Sequence, residues 1–78
     1  MDIKTKFNIG DKFWTWCNDG VTELTVSAIT IEIRENSEQR EYYYAKDESP
    51  FISYGLGLFA FATKEEASDF RAARLLES

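Results

Sequence analysis

The sequence predicts a mainly β fold: a small, strongly bent antiparallel sheet or barrel of four strands, closed by a C-terminal α-helix. Three observations predict it. β-Branched and aromatic residues recur with a period of two through much of residues 12–46, the spacing of half-buried strands. The apolar parity then changes within one strand, from Thr22, Leu24 and Val26 on even positions to Ile29, Ile31 and Ile33 on odd ones. Near the end stands Thr63-Lys64-Glu65-Glu66, a capping-box signature with Thr63 at the N-cap and Glu66 at N3.

The elements follow in order. Phe7-Asn8-Ile9-Gly10-Asp11 leads into a first strand near 12–17, which is rich in aromatics. Asn18-Asp19-Gly20 supplies residues that tolerate positive φ and so makes a tight hairpin. The second strand runs near 21–34. One extra residue flips every later side chain to the other face, so the parity change predicts a β-bulge or sharp bend at Ser27-Ala28, with Val26 and Ile29 both facing the core. A polar turn, 35–39, precedes a third strand near 40–46 that carries Tyr42-Tyr43-Tyr44. The stretch 47–57 reads as a loop, with Pro50, Gly55 and Gly57, yet Phe51, Ile52, Tyr54 and Leu56 make it too apolar to be freely solvated. A short fourth strand is expected near 58–61, and a helix near 64–76 that lays Phe70 on the sheet.

Seventy-eight residues make one small domain, near the lower limit for a self-sufficient core. The usual staples are excluded: a lone Cys17 forms no internal disulfide, and without histidine a structural zinc site has no plausible ligand set. The core must then be efficient, and an aromatic content of 15% supplies the means, since each buried ring removes roughly 150–250 Å² from water. Failing that, the chain self-associates; the expected state is a monomer or weak homodimer. The single thiol, the lack of an apolar run after the charges of Met1–Lys6, and the lack of any long apolar stretch set the expectation of a cytoplasmic protein with no membrane contact. A net charge of −5 with thinly spread Lys and Arg argues against binding nucleic acid through its phosphates.

Phe7-x-Ile9-Gly10-Asp11-Lys12-Phe13-Trp14, then Val26-Ser-Ala-Ile-Thr-Ile31, a tyrosine strand, and Phe61-Ala-Thr-Lys-Glu-Glu-Ala67 opening a helix resemble small uncharacterised proteins of bacteria, prophages and mobile elements. These are similar in plan to Src-homology-3-like, KOW-like or Tudor-like barrels. The resemblance covers about Phe7 to Leu76, and its motifs are fold determinants that carry no catalytic residue. It implies a small barrel. Many KOW and Tudor domains contact RNA, proteins or methylated side chains, but this chain departs from the RNA-binding kind in being acidic.

The residue inventory argues against an enzyme. Histidine, the usual acid–base group at neutral pH, is absent. Cys17 has no histidine to activate it and reads as a small apolar strand residue. Asp47-Glu48 reads as solvated charge, and Gly55-Leu56-Gly57 as a turn without the strand–glycine loop–helix context of a phosphate cradle. No Asp-x-Asp-x-Asp-Gly loop is present. No cofactor or metal is expected.

The large rings exceed what one covered sheet face needs. Phe13 and Cys17 share one side of the first strand, Trp14 and Trp16 the other; Tyr43 opposes Tyr42 and Tyr44 in the third. Some of Trp14, Trp16, Tyr43 and Tyr54 should therefore be partly exposed and serve as contact residues for an unknown protein partner. The bland alternative is that the helix covers one set and the 47–57 loop the other. A non-enzymatic binding or accessory module is the resulting expectation. A second reading takes Glu32, Glu35, Glu38, Glu41, Asp47 and Glu48 as an acidic face, with which a phage-type inhibitor would mimic nucleic acid toward a host enzyme. A third is a small nucleic-acid-binding barrel that stacks bases on its rings, which the charge disfavours.

Overall fold

In a computed structural model, which describes residues 4–36, 38–46 and 48–76, four antiparallel strands form a curled half-barrel followed by one helix. The strands are β1 (Lys12–Cys17), β2 (Gly20–Glu32), β3 (Arg40–Ala45) and β4 (Tyr54–Gly55), and the helix is α1 (Lys64–Leu76). The sheet order is β1-β2-β3-β4. The strands alternate because β-branched and aromatic side chains fit a pleated, half-buried surface. They curl because β2 bends.

That bend lies where the parity of the sequence places it. β2 pairs with β1 from Gly20 to Thr25 and with β3 from Val26 to Glu32, and its register shifts between Val26 and Ala28. Val26 is buried on one side of the shift, and Ile29 packs against the same core on the other. The extra residue re-aims Ile29 inward and leaves Ile31 half-buried, but Ile33, past the end of the strand, is exposed and does not join the core as its parity predicts. The turn at 8–11 pins the spot: Gly10 N–H donates to the Val26 carbonyl (2.9 Å) and Val26 N–H to the Asp11 carbonyl (2.8 Å).

The core is aromatic. Phe13 and Tyr43 are fully enclosed, and Phe7 meets Tyr43 edge-on at 5.2 Å. A fully buried side chain of this class contributes about 1.5–3 kcal/mol, so three rings give a chain without staples much of its stability. Tyr43 keeps its hydroxyl satisfied: it donates to Glu41 Oε1 (2.5 Å) and accepts from Phe7 N–H (3.2 Å).

The fourth strand differs from expectation. Residues 58–61 form no strand; β4 is Tyr54–Gly55, inside the stretch read as a loop, and it pairs with Tyr42 and Tyr43. A tight turn follows in which Leu58, Phe59 and Ala60 all donate to the Gly55 carbonyl (2.8–3.1 Å). Gly57 takes φ +83°, a left-handed conformation that a side chain would strain. The chain then reaches the far edge of the sheet, where Phe61 and Trp14 exchange two backbone hydrogen bonds of 2.8 Å. Pairing at both edges by so short a segment left no alternating run for the sequence to reveal. Of the rest of the 47–57 stretch, Leu56 packs against the core, but residues 48–53 are exposed and cover nothing, Phe51 at 93% most plainly. Asp47 lies outside the described residues.

α1 begins as its cap predicts, with Glu66 N–H donating to Thr63 Oγ1 (3.1 Å), a bond worth about 1 kcal/mol. Phe70 meets Phe61 (5.2 Å) and Trp16 (5.9 Å). The helix therefore packs on the side of β1 opposite Phe13. Arg71 ties it to the β1–β2 hairpin through the carbonyls of Cys17 (2.8 Å) and Asn18 (2.6 Å).

Candidate functional site

The four residues singled out as contact candidates do not share one surface. Trp14 and Trp16 are half-buried on the helix side of β1. Trp16 is held firmly: its Nε1–H donates to the Leu58 carbonyl (2.8 Å) and its indole stacks on Phe59 at 5.5 Å and 14°. Tyr54 is half-buried on the core side, 5.5 Å from Phe13. Tyr43 has no exposed surface at all, so its assignment as a contact residue is corrected: it is a core ring. Burial first, and then the hydrogen bond to Glu41, push its hydroxyl pKa up to about 12. Burial, with the negative charge of Glu48, raises that of Tyr54.

The inward turn of Tyr43 decides what its neighbours do. Successive strand side chains alternate, so Tyr42 and Tyr44 point outward, beside Thr30 and Ala28 of β2, their register partners. Thr30 and Ala28 are small and exposed, and both tyrosines remain half-buried. At the Tyr42 end lies a groove of about 620 Å³, lined also by Leu56, Leu58, Glu38, Arg40 and Glu41. At the Tyr44 end lies a second of about 310 Å³, between Ala28 at the bulge and Lys46, Glu48 and Pro50. Leu58, 55% exposed, joins the first groove to the Trp16–Phe59 stack.

Tyr42, Tyr44, Leu58 and Phe59 are the surface residues that sequence reasoning missed. The signal for the tyrosines was present in part, since Ala45 shares the parity of Tyr43 and is small enough for a core. Glu41 shares that parity too and obscured it. The structure resolves the conflict: Glu41 sits at the mouth of the half-barrel, where its Oε1 accepts from Lys6 N–H (2.7 Å) and from Tyr43.

Among the described residues, no three Cys, Asp or Glu side chains gather into a metal-binding group. Cys17 is exposed, not packed as a small apolar residue. Two acids of the described surface lie against cations: Glu23 against Lys12 (3.6 Å) and Glu32 against Arg34 (3.0 Å). Among the described residues, no helix is long and apolar enough to cross a membrane. No family model, curated protein or solved structure significantly matches the chain.

Proposed function

We propose that this protein is a non-catalytic contact module that holds a protein partner on the outer face of β3. One observation carries the reading: Tyr42 and Tyr44 lie side by side on that face, each lining its own groove. Two rings on one side of a strand stand roughly 6.5–7 Å apart. Held on a sheet, they offer large apolar area with little rotamer entropy to lose. The small neighbours Ala28 and Thr30 leave room for a partner's side chains. The pairing of Glu32 with Arg34, and the engagement of Glu41 by Lys6 N–H and the Tyr43 hydroxyl, weigh against the acidic-mimic alternative, which needs unpaired carboxylates in an array.

The test is affinity capture from the native host at low and at about 1 M salt, where screening falls to ~3 Å, with partners read by mass spectrometry. A partner retained at high salt by the wild type and by Leu76→Ser, but lost by the Tyr42→Ser/Tyr44→Ser double variant, supports the reading. Equal retention by the double variant sinks it. A basic partner that salt removes favours mimicry instead.

A further inference from the structure

We propose that the second half of β2 is a docking edge for a second copy of this chain, added antiparallel about a two-fold axis at Thr30. β2 has thirteen residues, and its neighbours have six each. β1 takes its first half on one side and β3 its second half on the other. Among the described residues, the side of Val26–Glu32 facing away from β3 is hydrogen-bonded only at Val26, by Gly10 and Asp11.

Backbone parity identifies the groups left on that edge. The Glu41 carbonyl accepts from Leu56 on the β4 side (2.9 Å). Odd residues of β3 therefore face β4, and Arg40, Tyr42 and Tyr44 face β2. Their partners Glu32, Thr30 and Ala28 answer them, so Ile29 and Ile31 turn their N–H and C=O groups to the far edge. Among the described residues no hydrogen bond reaches those groups. Edge strands are ordinarily defended by Lys, Pro, an inward charge or a bulge, and the bulge here protects only the edge at Val26–Ser27. Past it, Ala28-Ile-Thr-Ile31 has none of these, and Ile33, just beyond, is 62% exposed.

The edge is self-complementary in one register. With Thr30 opposite its own mate, Ile29 of each copy meets Ile31 of the other. Each such pair exchanges two bonds, so every free group on both residues finds a partner within β2 itself. Centring on Ile29 would require the bulged Ser27, and centring on Ile31 would require Ile33 beyond the strand end. Centring on Glu32 would set two carboxylates face to face, which is destabilising. In the Thr30 register Glu32 lies opposite Ala28 and no like charges meet. The interface is smaller than the ~1,200 Å² of stable complexes, so the dimer is weak and concentration-dependent. It would set the tyrosine faces of the two copies side by side on one continuous sheet.

Sedimentation over a concentration series up to millimolar, combined with cross-linking, tests this. Thr30 is exposed, and Thr30→Arg places like charges across the axis; it should weaken dimerisation at least tenfold with an unchanged circular dichroism spectrum. In a Cys17→Ser background, Thr30→Cys meets its mate at about 4.5 Å between Cα atoms, within disulfide reach. Oxidised glutathione, accepting the two electrons, should then cross-link it at least ten times faster than Ala28→Cys, whose mate lies elsewhere. A wild type that stays monomeric at millimolar concentration overturns the proposal. A dimer indifferent to Thr30→Arg, or equal cross-linking of the two cysteine variants, overturns it as well.

Discussion

Thr15 occupies the core side of β1 with 4% of its surface exposed, and its hydroxyl has no hydrogen-bonding partner among the described residues. A buried, unpaired hydroxyl forfeits its hydration, at a cost of about 1–3 kcal/mol. Thr15→Val replaces that oxygen with a methyl group of nearly the same shape. It keeps the β-branch that a strand favours and adds apolar contact worth up to about 0.8 kcal/mol. We expect a net gain of about 1–2 kcal/mol, the opposite sign from most core substitutions. In a domain of this size that raises Tm by roughly 4–8 °C per kcal/mol. Thr15→Ser, which keeps the oxygen and loses the methyl, should instead fall by about 1 kcal/mol. Urea unfolding followed by circular dichroism and tryptophan fluorescence measures both, with an unchanged slope confirming that only stability moved. If Thr15→Val unfolds at the same or a lower urea concentration than wild type, the hydroxyl is satisfied, and the reasoning from an unpaired oxygen fails.

Two further perturbations follow from the packing. Phe70 is half-buried between Phe61 and Trp16, so Phe70→Ala should cost about 2–3 kcal/mol, less than the ~3–5 of an enclosed ring, and shift tryptophan emission to the red; a wild-type midpoint and spectrum would place the helix elsewhere. Tyr43 ionises near 12 when folded and near 10 when unfolded, so its contribution is fully present below pH 10 and is lost as pH rises toward 12. The loss, about 2–3 kcal/mol at 1.36 kcal/mol per unit, should appear as a falling urea midpoint across that window. The slope should be shallower in Tyr43→Phe, and a flat wild-type profile would contradict the assignment.

Local periodicity made several features legible in the sequence. The switch from even to odd apolar positions around Ser27-Ala28 locates the bulge, because a period of two leaves no other way to keep both sets on one core. Thr63 with Glu66 locates the start of α1, because a helix end has unmet N–H groups that a nearby hydroxyl satisfies. The hairpin at Asn18-Asp19 is equally local, with Cys17 paired to Gly20 across it. What periodicity cannot supply is the absolute face or the partner. Alternation shows that Tyr43 opposes Tyr42 and Tyr44; only pairing with Ile29 and contact with Phe7, 36 residues away, turns Tyr43 inward. β4 carries two residues, and its place is set by Tyr42 and Tyr43 on one side while Phe61 finds Trp14 on the other. The side of β1 that receives the helix depends on Phe61 delivering Phe70 to Trp16. The open edge at Ile29 and Ile31 exists because β1 and β3 each stop halfway along β2. These are contacts between distant parts of the chain, and their register is a property of the folded whole, which no local pattern of side chains encodes.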